Sequence, residues 1–130
     1  MEQEQKELLL KDLCARLPYG VKVNITSKES KNRIVHLTED NICNLTSGWW
    51  SECKPYLFPM SSMTEKQKRE YNFWKHEVLV CYYKYGNIVE KVELLDSPES
   101  FEYLIENHFD YRGLIEKGLA LDATGLNIYD

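Results

Sequence analysis

The chain has 130 residues, about one domain, with a formal net charge of −5. Hydrophobic residues make up 43% of it and aromatic residues 12%, which excludes a wholly disordered protein. We expect no membrane segment, because no apolar run reaches the roughly 20 residues of a membrane-spanning helix. Acidic and basic residues balance over 1–63, so the acidic excess lies in 64–130. The lack of a domain-wide basic surface disfavours binding driven by nucleic-acid phosphates.

The first half of the chain predicts a helix followed by a small β-sheet. Leucines recur every four residues over 4–17, the spacing of an amphipathic helix, and Pro18-Tyr19-Gly20 ends it. Val21–Thr26 alternates apolar and polar side chains, as a half-buried strand does. Further short strands are predicted, in chain order, at Arg33–Leu37, Asn41–Thr46 and Trp49–Cys53. This succession indicates an antiparallel meander or a small open barrel with the helix packed on it.

Residues 54–63 predict a stiff, extended connector. Pro55 and Pro59 each fix their own φ and push the preceding residue towards extended geometry. The side chains between and beside the prolines are too apolar for a solvated linker, so we expect them to lie across a core.

A central helix is predicted to begin near Thr64. Thr64 with Gln67 three residues later matches a capping box, and Ser62 with Glu65 matches the same pattern shifted by two residues. Both alternatives stay open on the sequence alone.

Residues 77–95 fit two structures. A helical stripe continues through this stretch, yet Val78–Tyr83 is rich in β-forming residues and Tyr85-Gly86-Asn87 is typical of a hairpin turn. We favour the hairpin. Ser97-Pro98 predicts the start of a helix over 98–107, and Asp110 is suited to cap a further short helix that stops at Gly118.

These elements define an α+β fold in a single domain, residues 1–130. An N-terminal helix and β meander occupy 1–53, and the connector spans 54–63. A mainly helical half, 64–130, holds the central helix, the hairpin and C-terminal helices.

Three stretches together resemble a known group of proteins. They are Leu8–Val21, Lys54–Thr64 and His108–Asp122, which cover both ends and the middle of the chain. As a set they resemble a family of short proteins encoded in phage and prophage-like regions of gut Bacteroidetes. The resemblance implies a bacterial cytoplasmic setting and a mobile-element origin, and it transfers no catalytic or binding residues.

Motifs for metal, cofactor and covalent chemistry are absent from the sequence. The cysteines, at positions 14, 43, 53 and 81, form no C-x-x-C pair that would pre-organise a zinc site with His36. We therefore expect no metal and no cofactor, and reduced thiols that are mostly buried. The sequence also lacks a G-x-S-x-G elbow and a phosphate-binding glycine loop. This pattern favours a protein that is not an enzyme.

One polar cluster is the sole candidate for an enzymatic or anion-binding site. His108, Asp110 and Arg112 place an imidazole, a carboxylate and a guanidinium within five residues, a combination suited to proton transfer or anion binding. The competing interpretation is structural, with Asp110 as a helix cap and Arg112 paired with a nearby acid, and we favour it.

A basic run on the central helix is the candidate for nucleic-acid binding. Lys66, Lys68, Arg69 and Lys75 are interleaved with aromatic residues, a combination that can bind single strands through charge and stacking. Glutamates dilute the run, so a solvated helix face is the simpler interpretation. A regulator that binds nucleic acid through this helix is the alternative function.

The preferred hypothesis is protein–protein contact through aromatic side chains. Trp49 and Trp50 are adjacent in a predicted strand, so their rings should point to opposite faces. One ring would enter the core, while the other would form a surface anchor with Tyr56 and Phe58 nearby. The sequence leaves open which ring is exposed, or whether both are covered.

We expect a non-enzymatic accessory or protein-interaction protein of a phage or mobile element, which binds an unidentified protein or a second copy of itself. The acidic, amphipathic N-terminus is unlike a secretory signal peptide, so the expected location is the bacterial cytoplasm, with no membrane partner.

Overall fold

A computed structural model describes residues 2–27, 33–46 and 50–129. The α-helices are α1 Gln3–Arg16, α2 Glu39–Thr46, α3 Glu65–Phe73 and α4 Pro98–Glu106, with short 3-10 helices at Leu17–Tyr19 and Met60–Ser62. The strands are β1 Lys22–Ser27, β2 Arg33–His36, β3 Trp50–Pro59, β4 His76–Lys84, β5 Asn87–Leu95, β6 Phe109–Asp110 and β7 Leu121–Asp122. The predicted α+β class is confirmed.

The chain divides into two compact units, Met1–Ser62 with Ile105–Asp130, and Met63–Leu104. We call them unit 1 and unit 2. Unit 1 holds a mixed sheet in which β2, β1, β3 and β6 are neighbours in that order, while β7 also pairs with β3. β1 is antiparallel to β2 and β3, whereas β6 and β7 run parallel to β3.

Strand β3 is the centre of the unit 1 sheet. It includes the proline-containing segment that the sequence predicts as an extended connector, and that segment does lie across a core, because Leu57 is fully buried. The backbone N–H of Ala123 donates to Leu57 O, and that of Phe58 donates to His108 O. The segment that the proline pattern predicts as a connector is therefore part of a strand that is hydrogen-bonded along both edges.

The core of unit 1 lies between α1 and this sheet. Leucines recur at helical spacing on α1, and the inward residues of β1 alternate with half-buried polar ones, as predicted. The buried cluster consists of Leu9, Leu13, Val21, Val23, Ile25, Leu37, Leu45, Cys53, Leu57, Leu114, Leu119 and Ala120. Members drawn from both ends of the chain show that the C-terminal tail is part of this core.

The predicted third strand at 41–46 is wrong, because these residues form α2. The Thr38 hydroxyl accepts from the backbone N–H of Asn41 at 3.2 Å, and the Asn41 side chain accepts from the N–H of Thr38 at 3.0 Å. This reciprocal cap starts the helix. Ile42 and Leu45, three residues apart, then face the core on one side of it.

The predicted helix from Asp110 to Gly118 is also wrong in extent, because a single helical turn occupies this stretch. The N–H groups of Gly118 and Leu119 donate back to Ile115 O and Leu114 O, the two bonds of a Schellman ending. Gly118 supplies the left-handed residue, with φ of +73°.

Unit 2 contains α3, the hairpin β4–β5 and the first turns of α4. Thr64 caps α3 through a capping box with Gln67, which decides between the two start sites in favour of the later one. Ser97 caps α4 by accepting from the N–H of Ser100 at 3.0 Å. Tyr71 on α3 and Tyr103 on α4 stack at a centroid distance of 6.4 Å.

The stretch that fitted either helix or hairpin is a hairpin. Nine residue pairs, from His76–Leu95 to Lys84–Asn87, join β4 and β5. The two-residue turn consists of Tyr85 and Gly86, with φ of 51° and 81°, the signs that a type I′ turn requires. No helix among the described ranges has the length and apolar character needed to cross a membrane.

Candidate functional site

Exposed apolar side chains concentrate in unit 2. Of the thirteen large hydrophobic residues that are exposed in the described part of the chain, eleven lie between Met63 and Leu104. Isolated exposed hydrophobics are normal on a protein surface, whereas eleven within a unit of 42 residues are a marked concentration.

One face of the hairpin holds five of these eleven side chains. Cross-strand partners in an antiparallel pair lie on the same face, so the pairs Leu79–Val92 and Tyr83–Ile88 share one side. We call this side the apolar face. It consists of Leu79, Cys81, Tyr83, Ile88, Val92 and Leu94, with Glu77 and Glu90 among them, and all eight are exposed.

The apolar face is large for a surface patch. Tyr83 is 78% exposed, and Leu79, Ile88 and Val92 are each above 60%. With full areas of about 150–250 Å² per large side chain, the face presents roughly 600 Å² of apolar surface. That area is at the upper end for the largest patch of a monomer, and it approaches the roughly 800 Å² that each partner buries in a standard interface.

The opposite face of the hairpin is partly covered. Val78, Val80 and Val89 are half-buried there, and Lys91 forms an ion pair with Glu93 at 2.7 Å. The Lys91 ammonium also lies 5.7 Å from the centroid of the Tyr82 ring. Tyr82 and Leu95 also lie on this side and are 40% and 48% exposed, so the apolar face is the more exposed of the two faces and not the only exposed one.

The sequence predicts the hairpin but not the exposure of its apolar face. Because Val78–Tyr83 is apolar at every position, both faces of β4 are apolar, which is typical of a strand covered on both sides. In unit 2 the strand instead pairs only with β5 among the described residues. Both faces of β4 are apolar, yet the hairpin has too few neighbouring elements to cover them. This mismatch is the sequence signal that could have identified the candidate site.

The predicted polar residues His108, Asp110 and Arg112 are held by partners within unit 1. Arg112 lies beside Asp12 of α1, with Nε 3.2 Å from Oδ1, and Arg16 Nε binds the other oxygen of the same carboxylate at 2.8 Å. Arg16 also donates to Phe109 O at 2.6 Å. Asp12 and Arg16 are fully buried, so these two residues, which the sequence analysis did not single out, connect α1 to the segment that follows α4.

His108 packs within the same cluster. Its ring stacks on that of Tyr129 at 3.9 Å, and its φ of 62° is left-handed. Burial and the nearby Arg16 guanidinium lower the pKa of His108 from 6.5 to about 4, so the imidazole is neutral at pH 7. His108 Nδ1 and Arg16 Nη1 are buried without a hydrogen-bond partner and expose almost no surface, so the two atoms are closed off from a ligand of any size.

Asp110 has a structural role. Its Oδ1 accepts from the N–H of Leu114 at 2.8 Å, and its Oδ2 accepts from that of Ile115 at 2.9 Å. Both carboxylate oxygens therefore stabilise the helical turn that follows, and the hypothesis of a cap, favoured on the sequence, describes this residue.

The predicted aromatic anchor falls partly outside the described residues. Trp49 lies outside the described ranges, and Trp50 is the first residue of β3 with a side chain that is not described. Tyr56 is buried, and Phe58 is half-buried with its ring 6.1 Å from that of Phe109. Tyr56 therefore belongs to the interior of unit 1, while Phe58 lies at its margin.

The predicted basic run lies on and just after α3. Lys66 and Lys68 pair with acids of the same helix, Glu70 at 3.9 Å and Glu65 at 3.4 Å. Lys75 lies 4.3 Å from the centroid of the Tyr71 ring, and Arg69 is exposed. Unit 2 as a whole carries eight acidic and six basic residues, so its net charge is negative, like that of a nucleic acid, and disfavours binding one.

The prediction of mostly buried cysteines is wrong, since Cys14, Cys43 and Cys81 are exposed. Cys53 is buried, and burial raises the pKa of its thiol to about 11. It lies beside a cavity of about 250 Å³ in unit 1 that Glu52, Lys54 and Lys117 also line. Within the described ranges, His, Cys, Asp and Glu side chains form no group of three or more that could hold a metal ion.

No protein-family model, no curated protein and no solved structure matches the sequence.

Proposed function

We propose that this protein is a non-enzymatic interaction module whose docking surface is the apolar face of β4–β5. The observation that carries the proposal is the concentration of exposed apolar side chains on that one face. Covering roughly 600 Å² at about 25 cal/mol per Å² would contribute about 15 kcal/mol. This figure is an upper bound, and association costs about 4–15 kcal/mol, so the strength of binding depends on how well the partner's contacts fit this face and not on its area alone.

The partner's chemistry follows from the charges on the apolar face. Glu77 and Glu90 are its charged residues, and Lys84 and Lys91 lie on the opposite side of the hairpin. A complementary protein surface is therefore apolar at its centre and carries a lysine or arginine that meets Glu90 between the two apolar pairs.

The polar groups of unit 1 support a role without catalysis. The Asp110 carboxylate accepts two backbone hydrogen bonds, and the Asp12 carboxylate binds Arg16 and Arg112. A general acid or base must reach a substrate atom, whereas these groups are already occupied by protein partners. The resemblance to short proteins of phage and prophage-like regions favours an accessory protein of a mobile element in the bacterial cytoplasm, and this origin is part of the proposal.

The test is binding by two charge-matched variants. Val92→Glu places a charge at the centre of the apolar face, while Asn87→Glu adds the same charge to the opposite face of the hairpin. A partner recovered from the native host is titrated against both. We expect at least tenfold weaker binding for Val92→Glu and unchanged binding for Asn87→Glu. Equal affinities for the two variants would exclude the apolar face.

A nucleic-acid-binding regulator is the second candidate. The supporting observation is an exposed aromatic pair at the end of α3, where Phe73 is 77% exposed and lies 5.2 Å from Trp74, edge to face. Bases could stack on these rings beside Lys75 and Arg69. Titration with single-stranded DNA at rising salt is the measurement, and salt-dependent binding that Phe73→Ala removes would favour this function over protein docking.

A further inference from the structure

The outer edge of β4 presents unpaired backbone groups. In a hairpin closed by a two-residue type I′ turn, the flanking residues Lys84 and Asn87 form a hydrogen-bonded pair. Such pairs then alternate along the ladder, so the even-numbered residues of β4 bond to β5. The N–H and C=O groups of the odd-numbered residues point away from β5. They are those of Glu77, Leu79, Cys81 and Tyr83.

The two edges of the hairpin differ in how they are protected. β5 carries Glu90, Lys91 and Glu93 at its centre, and charges of this kind keep an edge strand from pairing with other chains. The corresponding part of β4, Val78–Tyr83, has no charge, no proline and no glycine. Among the described residues neither strand packs extensively against any element except the other. The edge of β4 is therefore open and lacks the usual barriers to strand addition.

We propose that a second copy of this chain covers the edge, with β4 of one protomer antiparallel to β4 of its partner. The occupant follows from the sequence of the edge, which is complementary to itself. An antiparallel pair about a twofold axis requires residues on the same face to lie opposite each other. Centring the axis on Val80 places Leu79 opposite the partner's Cys81 and Glu77 opposite the partner's Tyr83. All four outward-facing residues of each strand are then paired within β4.

Neighbouring registers are poorer. An axis centred on Leu79 or on Cys81 keeps the faces matched but leaves one outward-facing residue of each strand beyond the end of the partner's β4. Centring on Val80 also places Val78 opposite the partner's Tyr82, an aromatic–β-branched pair of the kind that stabilises sheets. The register centred on Val80 therefore gives both the greatest overlap of the two strands and apolar contacts at the centre of the pairing.

The pairing produces a four-stranded sheet with β5 at each outer edge. An isolated two-stranded hairpin is marginally stable in water, and three or more strands with an apolar face are normally needed. The dimer supplies those strands and leaves only the charged β5 edges open. It does not depend on the docking role of the apolar face, because the edge and the face are different surfaces of the hairpin.

Cross-linking tests the register. Val80→Cys in a Cys81→Ser background places two cysteines opposite each other at a Cα separation of about 4.5 Å, within the range of a disulfide. The matched control is Lys91→Cys in the same background, since Lys91 is the cross-strand neighbour of Val80 on the same face but belongs to β5. Under mild oxidation we expect a reducible covalent dimer from the first protein and none above the Cys81→Ser background from the second. Equal yields of dimer would overturn the register.

Analytical ultracentrifugation over a concentration series tests the surface used. Cys81→Pro removes an outward-pointing N–H that the hairpin does not need, and Val92→Glu changes the apolar face without touching the β4 edge. We expect a dimer for the natural sequence and for Val92→Glu, and a monomer for Cys81→Pro, with circular dichroism confirming that each is folded. If Val92→Glu dissociates the dimer and Cys81→Pro does not, the faces pack together and edge pairing is wrong. A natural chain that stays monomeric throughout would also overturn it, while leaving docking of another protein on the apolar face unaffected.

Discussion

Arg16 and Asp12 form an ion pair one turn apart on α1, with Nε 2.8 Å from Oδ2 and both side chains removed from solvent. Arg112 binds the other oxygen of Asp12 from a segment about one hundred residues further along the chain. The cluster thereby holds two positive charges against one carboxylate, and the Tyr111 ring lies 4.8 Å from the Arg112 guanidinium and 5.8 Å from that of Arg16. This arrangement makes unit 1 sensitive to the removal of any one partner.

Asp12→Asn should destabilise the protein by about 3–5 kcal/mol, because it leaves buried Arg16 without a counter-charge. Denaturant unfolding measures the change. The control is Glu65→Gln, which breaks the exposed Lys68–Glu65 pair and should cost less than about 1 kcal/mol. A loss as small as that of the control would mean that Arg16 is stabilised by the Phe109 carbonyl and not by Asp12.

His108 should make the stability of the protein fall as the pH falls below about 6.5. Its pKa is about 4 in the folded protein and 6.5 in the unfolded chain, so between these values the unfolded chain binds the proton and the folded one does not. The lost stability totals roughly 3 kcal/mol by pH 4. The comparison is with His108→Asn, because asparagine tolerates the left-handed backbone. Urea unfolding at several pH values should show a shallower slope for the variant, and parallel curves would contradict the assignment.

Thr64→Ala should reduce stability by about 1 kcal/mol, because the Thr64 hydroxyl accepts from the N–H of Gln67 at 3.1 Å. Ser62→Ala is the matched control. The Ser62 hydroxyl donates to Pro59 O and does not cap α3. Thermal melting of both proteins measures the difference, and a larger effect at Ser62 would show that the helix begins two residues earlier.

The hairpin turn should respond oppositely to two substitutions. Gly86→Ala should cost about 1–2 kcal/mol, because an L-residue is strained at a φ of +81°, although an added Cβ meets no atom there. Tyr85→Asn should leave the hairpin as stable or more stable, because Asn-Gly is the preferred type I′ pair. Amide hydrogen exchange in β4 and β5 measures both effects. Equal protection of the β4 and β5 amides from exchange in the two variants would mean that the turn residues do not determine the stability of the hairpin.

Thiol reactivity should separate Cys53 from the other three cysteines. Its pKa of about 11 keeps it protonated at neutral pH, and it is fully buried, whereas Cys14, Cys43 and Cys81 are exposed. A disulfide exchange reagent should modify three thiols quickly in the native, reduced protein and the fourth only after denaturation. Fast modification of all four thiols would show that β3 opens readily. Metal analysis of the same sample tests the separate expectation that the thiols hold no zinc.

Local signals in the sequence determined several elements correctly. The leucine spacing of α1, the capping box at Thr64 and the turn residues of β4–β5 act within a few residues of one another, so short-range sequence is sufficient to specify them. α2 was missed because its short apolar pattern also fits a strand. The spacing of Ile42 and Leu45 together with the Thr38–Asn41 cap was the signal that distinguishes a helix.

Tertiary structure decided the rest, because it depends on which distant segments meet. The sequence could propose Arg112 and His108 as polar candidates, but Asp12 and Arg16 become their neighbours only when α1 packs beside the C-terminal segment. The prolines made β3 extended, and pairing with β1, β6 and β7 made it the centre of a sheet. The sequence also left the exposure of the apolar face undetermined. Apolar residues in a strand indicate that the strand should be covered, but they do not indicate which surface covers it. Burial is a property of the assembled chain, which is why the candidate site could be located only from the fold.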